Sequence, residues 1–165
     1  MESAANLGQE RQLVAFSLNG EEFGVEITQV KEIIKHRNVT RLPHVETYIE
    51  GVTNLRGEVI PIICLRKRFG IPAQEVTQDT RIIIAEVDQS RIGFIVDAVT
   101  EVMRIAETNI EPPPSTVAGL KAHYLKGVGK IDDRLLILLD VDRILTSEEK
   151  IRLDRLEKAV ASTED

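Results

Sequence analysis

From Leu13 to Leu18, and again from Glu22 to Ile27, apolar and polar residues alternate along the chain. A period of two marks strands with one buried face, and Asn19-Gly20 between the two runs tolerates the positive φ of a tight turn, so the pair reads as a hairpin. Next come Val30, Ile33 and Ile34, spaced by three and four, which predicts a short helical stretch. A loop at Arg41-Leu42-Pro43 leads to a second hairpin turning near Arg56-Gly57. The same succession recurs downstream: a polar turn at Asp88-Gln89-Ser90, a helix-spaced set Val99, Val102 and Met103, a loop at Glu111-Pro112-Pro113-Pro114, and a hairpin turning at Asp132-Asp133. The runs Ile82 to Ala85 and Leu135 to Leu139 suit strands buried on both faces. The segment TSEEKIRLDRLEKAV reads as a helix on the surface of the fold, with Thr146 and Glu149 in capping-box spacing and Leu153, Leu156 and Val160 on one face.

The recurrence is a repeat. Shifted by 69 positions, Gly24 falls on Gly93, Val30 on Val99 and Glu32 on Glu101; Leu18, Phe23, Val25, Ile27 and Ile33 fall on apolar residues. Shifted by 76, Tyr48 falls on Tyr124, Gly51 on Gly127 and Val52 on Val128, and Val59 to Ile63 lands on Leu135 to Leu139. These offsets predict a flexible tail over 1–12, one repeat over about 13–78, a second over about 79–145, with strand exchange between them permitted, and a helix and tail over 146–165. About five short strands with tight turns close into a small barrel rather than a flat sheet. The expected fold class is therefore mainly β: two small barrels related by internal duplication, with short helices and a C-terminal helix. Barrels this small are marginal singly, so a shared core with a groove between the halves is expected.

Composition narrows the function. The net charge of −6 and 4% aromatic content, without Trp, argue against nucleic acid, which needs clustered cations or stacking platforms. The single basic cluster, Arg66-Lys67-Arg68, reads as a solvated helical turn. No apolar run reaches the roughly 18 residues of a membrane span, and MESAANLGQERQ lacks the apolar core of a secretory signal. The lone Cys64, in VIPIICL, reads as a buried structural thiol, and the cytoplasm is the simplest compartment. His36, His44 and His123 stand at no metal-ligand spacing, and no phosphate loop, dinucleotide fingerprint, nucleophile elbow or opposed carboxylate pair is present. Neither cofactor, metal nor catalytic residue is expected.

Asn54-Leu55-Arg56-Gly57 is a polar, cationic turn between strands. Arg56 offers a planar fork for a carboxylate, either on a partner or in the same fold; an ordinary turn with a solvated arginine is the plainer reading. Four segments together resemble the CheW family, the coupling proteins of bacterial chemotaxis. They are FSLNGEEFGVEITQVKEII at 16–34, RLP at 41–43, GVTNLRGEVIPII at 51–63 and YLKGVGKIDDRLLILLDVDRIL at 124–145. The similarity spans about residues 12–148, with one departure: Cys64 stands where the family usually has Asp, while Asp140 holds the equivalent place in the second repeat. The resemblance implies two five-stranded, SH3-like barrels and a non-catalytic role. Such proteins bridge the cytoplasmic tips of chemoreceptors to the histidine kinase CheA, whose C-terminal domain of the same fold pairs with them barrel to barrel. The chain's limits favour the free coupling protein over the isolated kinase domain or a fusion to a receiver domain; a related pathway such as surface motility stays open. The partner-binding candidates are Gly51, Asn54, Arg56 and Gly57 in the turn motif, and Ile27, Val30, Glu32, Val99 and Val102 along a groove edge, where an apolar strip flanked by Glu32 and Glu101 suits a helical receptor tip. The alternative is a module that binds small molecules in the inter-barrel groove.

Overall fold

All four expected hairpins form in the computed structural model, which describes residues 9–113 and 123–163. Strand β1 (Glu10–Leu18) turns through Asn19 and Gly20, at φ 55° and 81°, into β2 (Glu21–Glu26). Positive φ at both central residues gives the turn the right-handed twist of the flanking strands. Arg56 and Gly57 (φ 51° and 88°) join β4 (Ile49–Leu55) to β5 (Glu58–Cys64), and Asp88 and Gln89 (φ 50° and 68°) join β6 (Arg81–Val87) to β7 (Ser90–Val96). The last hairpin, β10 (Leu125–Ile131) to β11 (Arg134–Leu139), turns at Asp132-Asp133.

The two stretches expected to be helical are strands: β3 (Val30–Lys35) and β8 (Ala98–Ala106), each continuing a hairpin. A bulge explains the misleading spacing. In β3 the pairing passes from Val30 opposite Ala85 to Glu32 opposite Ile84, and in β8 from Val99 opposite Phe16 to Glu101 opposite Ala15, so Lys31 and Thr100 are extra residues. An inserted residue shifts the phase of alternation and leaves apolar positions three and four apart. The only helical geometry here is a 3-10 turn at Ile27–Gln29. β1 also starts earlier than the expected tail allows, with Glu10, Arg11 and Gln12 paired to Ala106, Ile105 and Arg104. The rest of that tail, residues 1–8, lies outside the described residues, as does Pro114 of the second proline loop.

The strands make two sheets, ordered β8-β1-β2-β11-β10-β9 and β3-β6-β7-β5-β4, where β9 is Ile110–Glu111. Each sheet takes one N-terminal hairpin and one C-terminal hairpin from different repeats. The two are joined by a parallel contact: Gly24 opposite Leu138 in the first sheet, Gly93 opposite Ile62 in the second. The offsets of 69 and 76 carry each sheet onto the other strand for strand, bulges included; the interruptions before Gly51 and before Gly127 correspond. The first sheet has a sixth, two-residue strand, β9 against β10, where the second has a single bridge from Thr40 to Val52.

The apolar residues divide into three clusters. Leu13, Ala15, Met103, Ile105, Ile110, Ile131, Leu136 and Leu138 fill the first sheet; Ile34, Val39, Leu55, Ile60, Ile62, Ile82 and Ile84 fill the second. Strands from end to end of each sheet feed one interior, so each sheet curls around its own core, as a small barrel must. A larger cluster between the sheets takes residues from both repeats, including Phe16, Phe23, Ile63, Phe69, Ile83, Phe94, Tyr124 and Leu139. The run Ile82 to Ala85 is buried on both faces as expected, but Leu135 is 60% exposed. Val59, its counterpart, is covered because α2 (Ser147–Thr163) packs on β5.

Gly24 and Gly93 face the two small interiors, where an added Cβ would touch Leu136 and Leu138, or Ile62 and Ile82. Gly51 is more constrained: its φ is 142°, and a Cβ would lie 1.9 Å from the Thr40 carbonyl oxygen. We therefore expect Gly51→Ala to cost about 3 kcal/mol, through backbone strain and overpacking. Gly24→Ala, which meets only leucine methyls at 3.0 and 3.2 Å, should cost about 1 kcal/mol. Urea denaturation midpoints of the two variants check this order; equal midpoints would contradict it.

Candidate functional site

The β4–β5 turn projects from the end of the second sheet. The Asn54 carboxamide oxygen accepts from the Gly57 N–H at 2.9 Å and pins the turn. Asn54, Arg56 and Gly57 are exposed, whereas Gly51 is buried against the Thr40 carbonyl. The Arg56 guanidinium donates to the Glu32 carboxylate on β3, so the carboxylate Arg56 reads is in the same fold; the side chain is still 66% exposed. The hydrogen bond from Arg56 holds the Glu32 carboxyl below its ordinary range, with Arg91 adding to the effect. Arg91 in turn pairs with Glu58 at 3.2 Å. Four charges thus alternate across the face of β3, β4–β5 and β7.

The other sheet carries the Arg91–Glu58 pair with its signs exchanged. Arg134, the counterpart of Glu58, donates to Glu22, the counterpart of Arg91, at 3.0 and 2.6 Å, and to Glu101 at 3.5 Å. Glu32 and Glu101 occupy equivalent places and each meets an arginine. Nothing in the local sequence indicates these partners, because each pair joins different hairpins.

The proposed groove edge separates into two groups. Ile27, Val30 and Val99 are half-buried and pack against the shared core. Val102 is 54% exposed, and its counterpart Ile33 is 37% exposed. Because β8 is a strand, Val99 and Val102 do not share a helical face; Ile27 and Val30 bracket a 3-10 turn and both pack on the shared core. The exposed apolar pair is Ile33 and Val102, which the offset of 69 already aligned.

Arg66-Lys67-Arg68 forms α1 (Leu65–Arg68), and it is not a solvated turn. Arg66 grips Asp97 with two N–H groups, at 2.8 and 2.7 Å, while Asp97 also accepts from the Asn19 N–H at 2.9 Å. Arg68 donates to both carboxylate oxygens of Glu149, at 3.1 and 2.8 Å, and to the Ile144 carbonyl, and lies 4.4 Å above the Tyr48 ring. Lys67 pairs with Glu50 at 2.7 Å. Tyr48 also donates to Glu149, and burial with that neighbouring carboxylate pushes its pKa up. The capping box is in place, with Glu149 N–H donating to the Thr146 hydroxyl. Cys64 precedes α1 with no side-chain cap, whereas Asp140 caps the equivalent 3-10 turn by accepting from the Asp142 N–H at 3.1 Å. Burial pushes the Cys64 thiol pKa up, away from reactivity.

Among the described residues no group of three or more His, Cys, Asp or Glu is placed to hold a metal, and no helix is long and apolar enough to cross a membrane. Among the described residues the exposed features include charged faces, a hairpin tip and apolar edge positions. The family model of the CheW-like domain matches residues 12–149. The chemotaxis protein CheW of Klebsiella aerogenes is 37% identical over 93% of this chain and 91% of that protein. CheW of Bacillus subtilis is 40% identical over 82% and 87%. The crystal structure of the scaffolding protein TtCheW from Thermoanaerobacter tengcongensis superposes with a TM-score of 0.79 at 39% identity, covering 86% of this chain and 97% of that one. The chain belongs to the CheW family, and is a non-catalytic scaffold of chemotaxis signalling.

The Arg66 guanidinium holds the Asp97 carboxyl below its ordinary range, and the Asn19 N–H contributes. A depressed carboxylate stabilises the fold above its unfolded pKa, near 4, and that stabilisation is lost as pH falls through the lower folded value. Asp97→Asn should therefore lose about 1–3 kcal/mol at pH 7 and show a flatter decline between pH 4 and pH 2. Chemical denaturation across that range tests this, and parallel curves for wild type and variant would contradict it.

Proposed function

We propose that this chain bridges the cytoplasmic tips of chemoreceptors to the histidine kinase CheA, at receptor arrays on the cytoplasmic side of the membrane. The observation that carries this reading is the match to the CheW-like domain across nearly the whole described fold. The surface supports it. An edge strand that carries an apolar residue beside a carboxylate, Ile33 beside Glu32 and Val102 beside Glu101, offers a helical tip an apolar contact and a polar rim. In this reading Val102 and Ile33 meet the receptor, and Ile27, Val30 and Val99 hold those strands on the core from beneath. The hairpin tip of Asn54, Arg56 and Gly57 is the kinase-facing element, and Arg56 orients Glu32 beside it.

Binding of a small molecule in the enclosed space between the halves has little support. The residual cavity among Phe16, Val25, Ile83 and Phe94, where the two sheets face each other, is about 10 Å³, room for about one water molecule.

The test is cosedimentation with receptor-bearing membranes and CheA, with kinase activity as a second readout. Val102→Glu alters an exposed side chain, so it should fold normally and lower receptor cosedimentation at least tenfold, about 1.4 kcal/mol. Arg56→Glu sets two carboxylates together and should weaken kinase coupling by a similar factor, since a reversed charge at an interface costs more than on a free surface. The double exchange Arg56→Glu with Glu32→Arg restores the internal pair; recovery of coupling would show that the pair acts by orientation. Wild-type coupling in both single variants would contradict the reading.

A further inference from the structure

The duplication leaves one surface covered in one half and bare in the other. On the second sheet α2 lies over β5 and the β6–β7 hairpin, and Leu153 is 2% exposed there beside Pro61, Val87 and Ile92. On the first sheet the corresponding face is an open groove of about 580 Å³ lined by Phe23, Tyr124, Leu125, Val128, Leu135 and Ile137. The offsets map Val59 onto Leu135, Pro61 onto Ile137 and Ile92 onto Phe23. Val59 is 6% exposed and Leu135 is 60% exposed, so the difference lies in what sits on top.

The charges around the groove indicate what fits. On the second sheet the Glu157 carboxyl of α2 is pushed up by burial, then by Asp154 and by Glu58. Glu58 is replaced by Arg134 on the first sheet, but Arg134 is shared between Glu22 and Glu101, so the rim there keeps a net negative charge. Lys150 of α2 pairs with Asp88 at 2.9 Å. The counterpart of Asp88 is Asn19, and the adjoining Glu21 and Glu22 line the open groove and supply the anion. The groove thus offers an α2-like helix an apolar floor and an acidic rim. The chain's own α2 is not free to fill it, being held by Arg68 and Tyr48 on Glu149 and by Lys150 on Asp88.

We infer that the groove between the β1–β2 turn and β10–β11 is a docking site for an amphipathic helix of a partner protein. That helix carries leucines three apart, as Leu153 and Leu156 are in α2, and a basic residue toward Glu21 and Glu22, as Lys150 is toward Asp88. Helix-in-groove recognition of this kind is read by apolar anchors at helical spacing, and flanking charges set the register.

The probe is a synthetic peptide of residues 147–163, SEEKIRLDRLEKAVAST, titrated into the isotope-labelled full chain while amide shifts are followed by NMR. Saturable shifts at Phe23, Val128, Leu135 and Ile137 are expected, without comparable shifts at Val59 and Ile92. Leu135→Glu in the protein, an exposed position, and Lys150→Glu in the peptide, which leaves the protein untouched, should each weaken binding at least fivefold. Shifts confined to Val59 and Ile92, no binding at millimolar peptide, or full binding to both variants would overturn the proposal. So would a concentration-dependent dimer of the unliganded chain with shifts at Leu135, because the groove would then belong to a second copy.

Discussion

The parallel contact between strands of different repeats is the constraint on which this structure depends. Gly24 against Leu138, and Gly93 against Ile62, tie each N-terminal hairpin to a C-terminal hairpin of the other repeat. A parallel pair cannot be closed by a tight turn, so each contact forms only once distant parts of the chain have met. Neither curled sheet is complete within one repeat. The halves cannot fold as separate beads, and the shared cluster between them seals the association with a run of aromatic contacts from Phe16 through Phe23 and Phe69 to Tyr124.

The charged helix α1 follows from the same arrangement. It leaves β5 at the seam between sheets, so its side chains reach both. Arg66 fixes the junction of β7 and β8 and the first turn through Asp97, and Arg68 fixes α2 through Glu149. Both arginine side chains are nearly buried, so removing either acid would strand a cation away from water. These bonds also keep α2 on the second sheet, which is why the first sheet keeps its apolar groove.

Much of this was legible in the sequence because it is local or repeated. Turn chemistry located Asn19-Gly20 and Arg56-Gly57, the capping spacing located Thr146 and Glu149, and the two glycine pairs revealed the duplication. Strand exchange was permitted by the pattern but could not be chosen from it, since both pairings bury the same faces. The bulges at Lys31 and Thr100 disguised β3 and β8 as helical turns. The arginines of α1 looked solvated because their acids lie 31 and 81 residues away. The turn around Arg56 and its fork for a carboxylate were legible from the residues and the family resemblance added a partner-binding role, while Glu32 was proposed as a rim residue and not as the other half of an ion pair. The exposure of Leu135 depends on where α2 lies, which no repeat offset contains.

A scaffold must hold its docking surfaces at fixed separation, and exchanged hairpins do this by making two sheets one cooperative unit. Native-state hydrogen exchange at low denaturant measures this most directly. The account predicts that the slowest amides of β2 and β11 and those of β5 and β7 open with a single free energy equal to that of global unfolding. Exchange of β5 and β7 at a distinctly lower free energy, while β2 and β11 stay protected, would show two independent halves and contradict it.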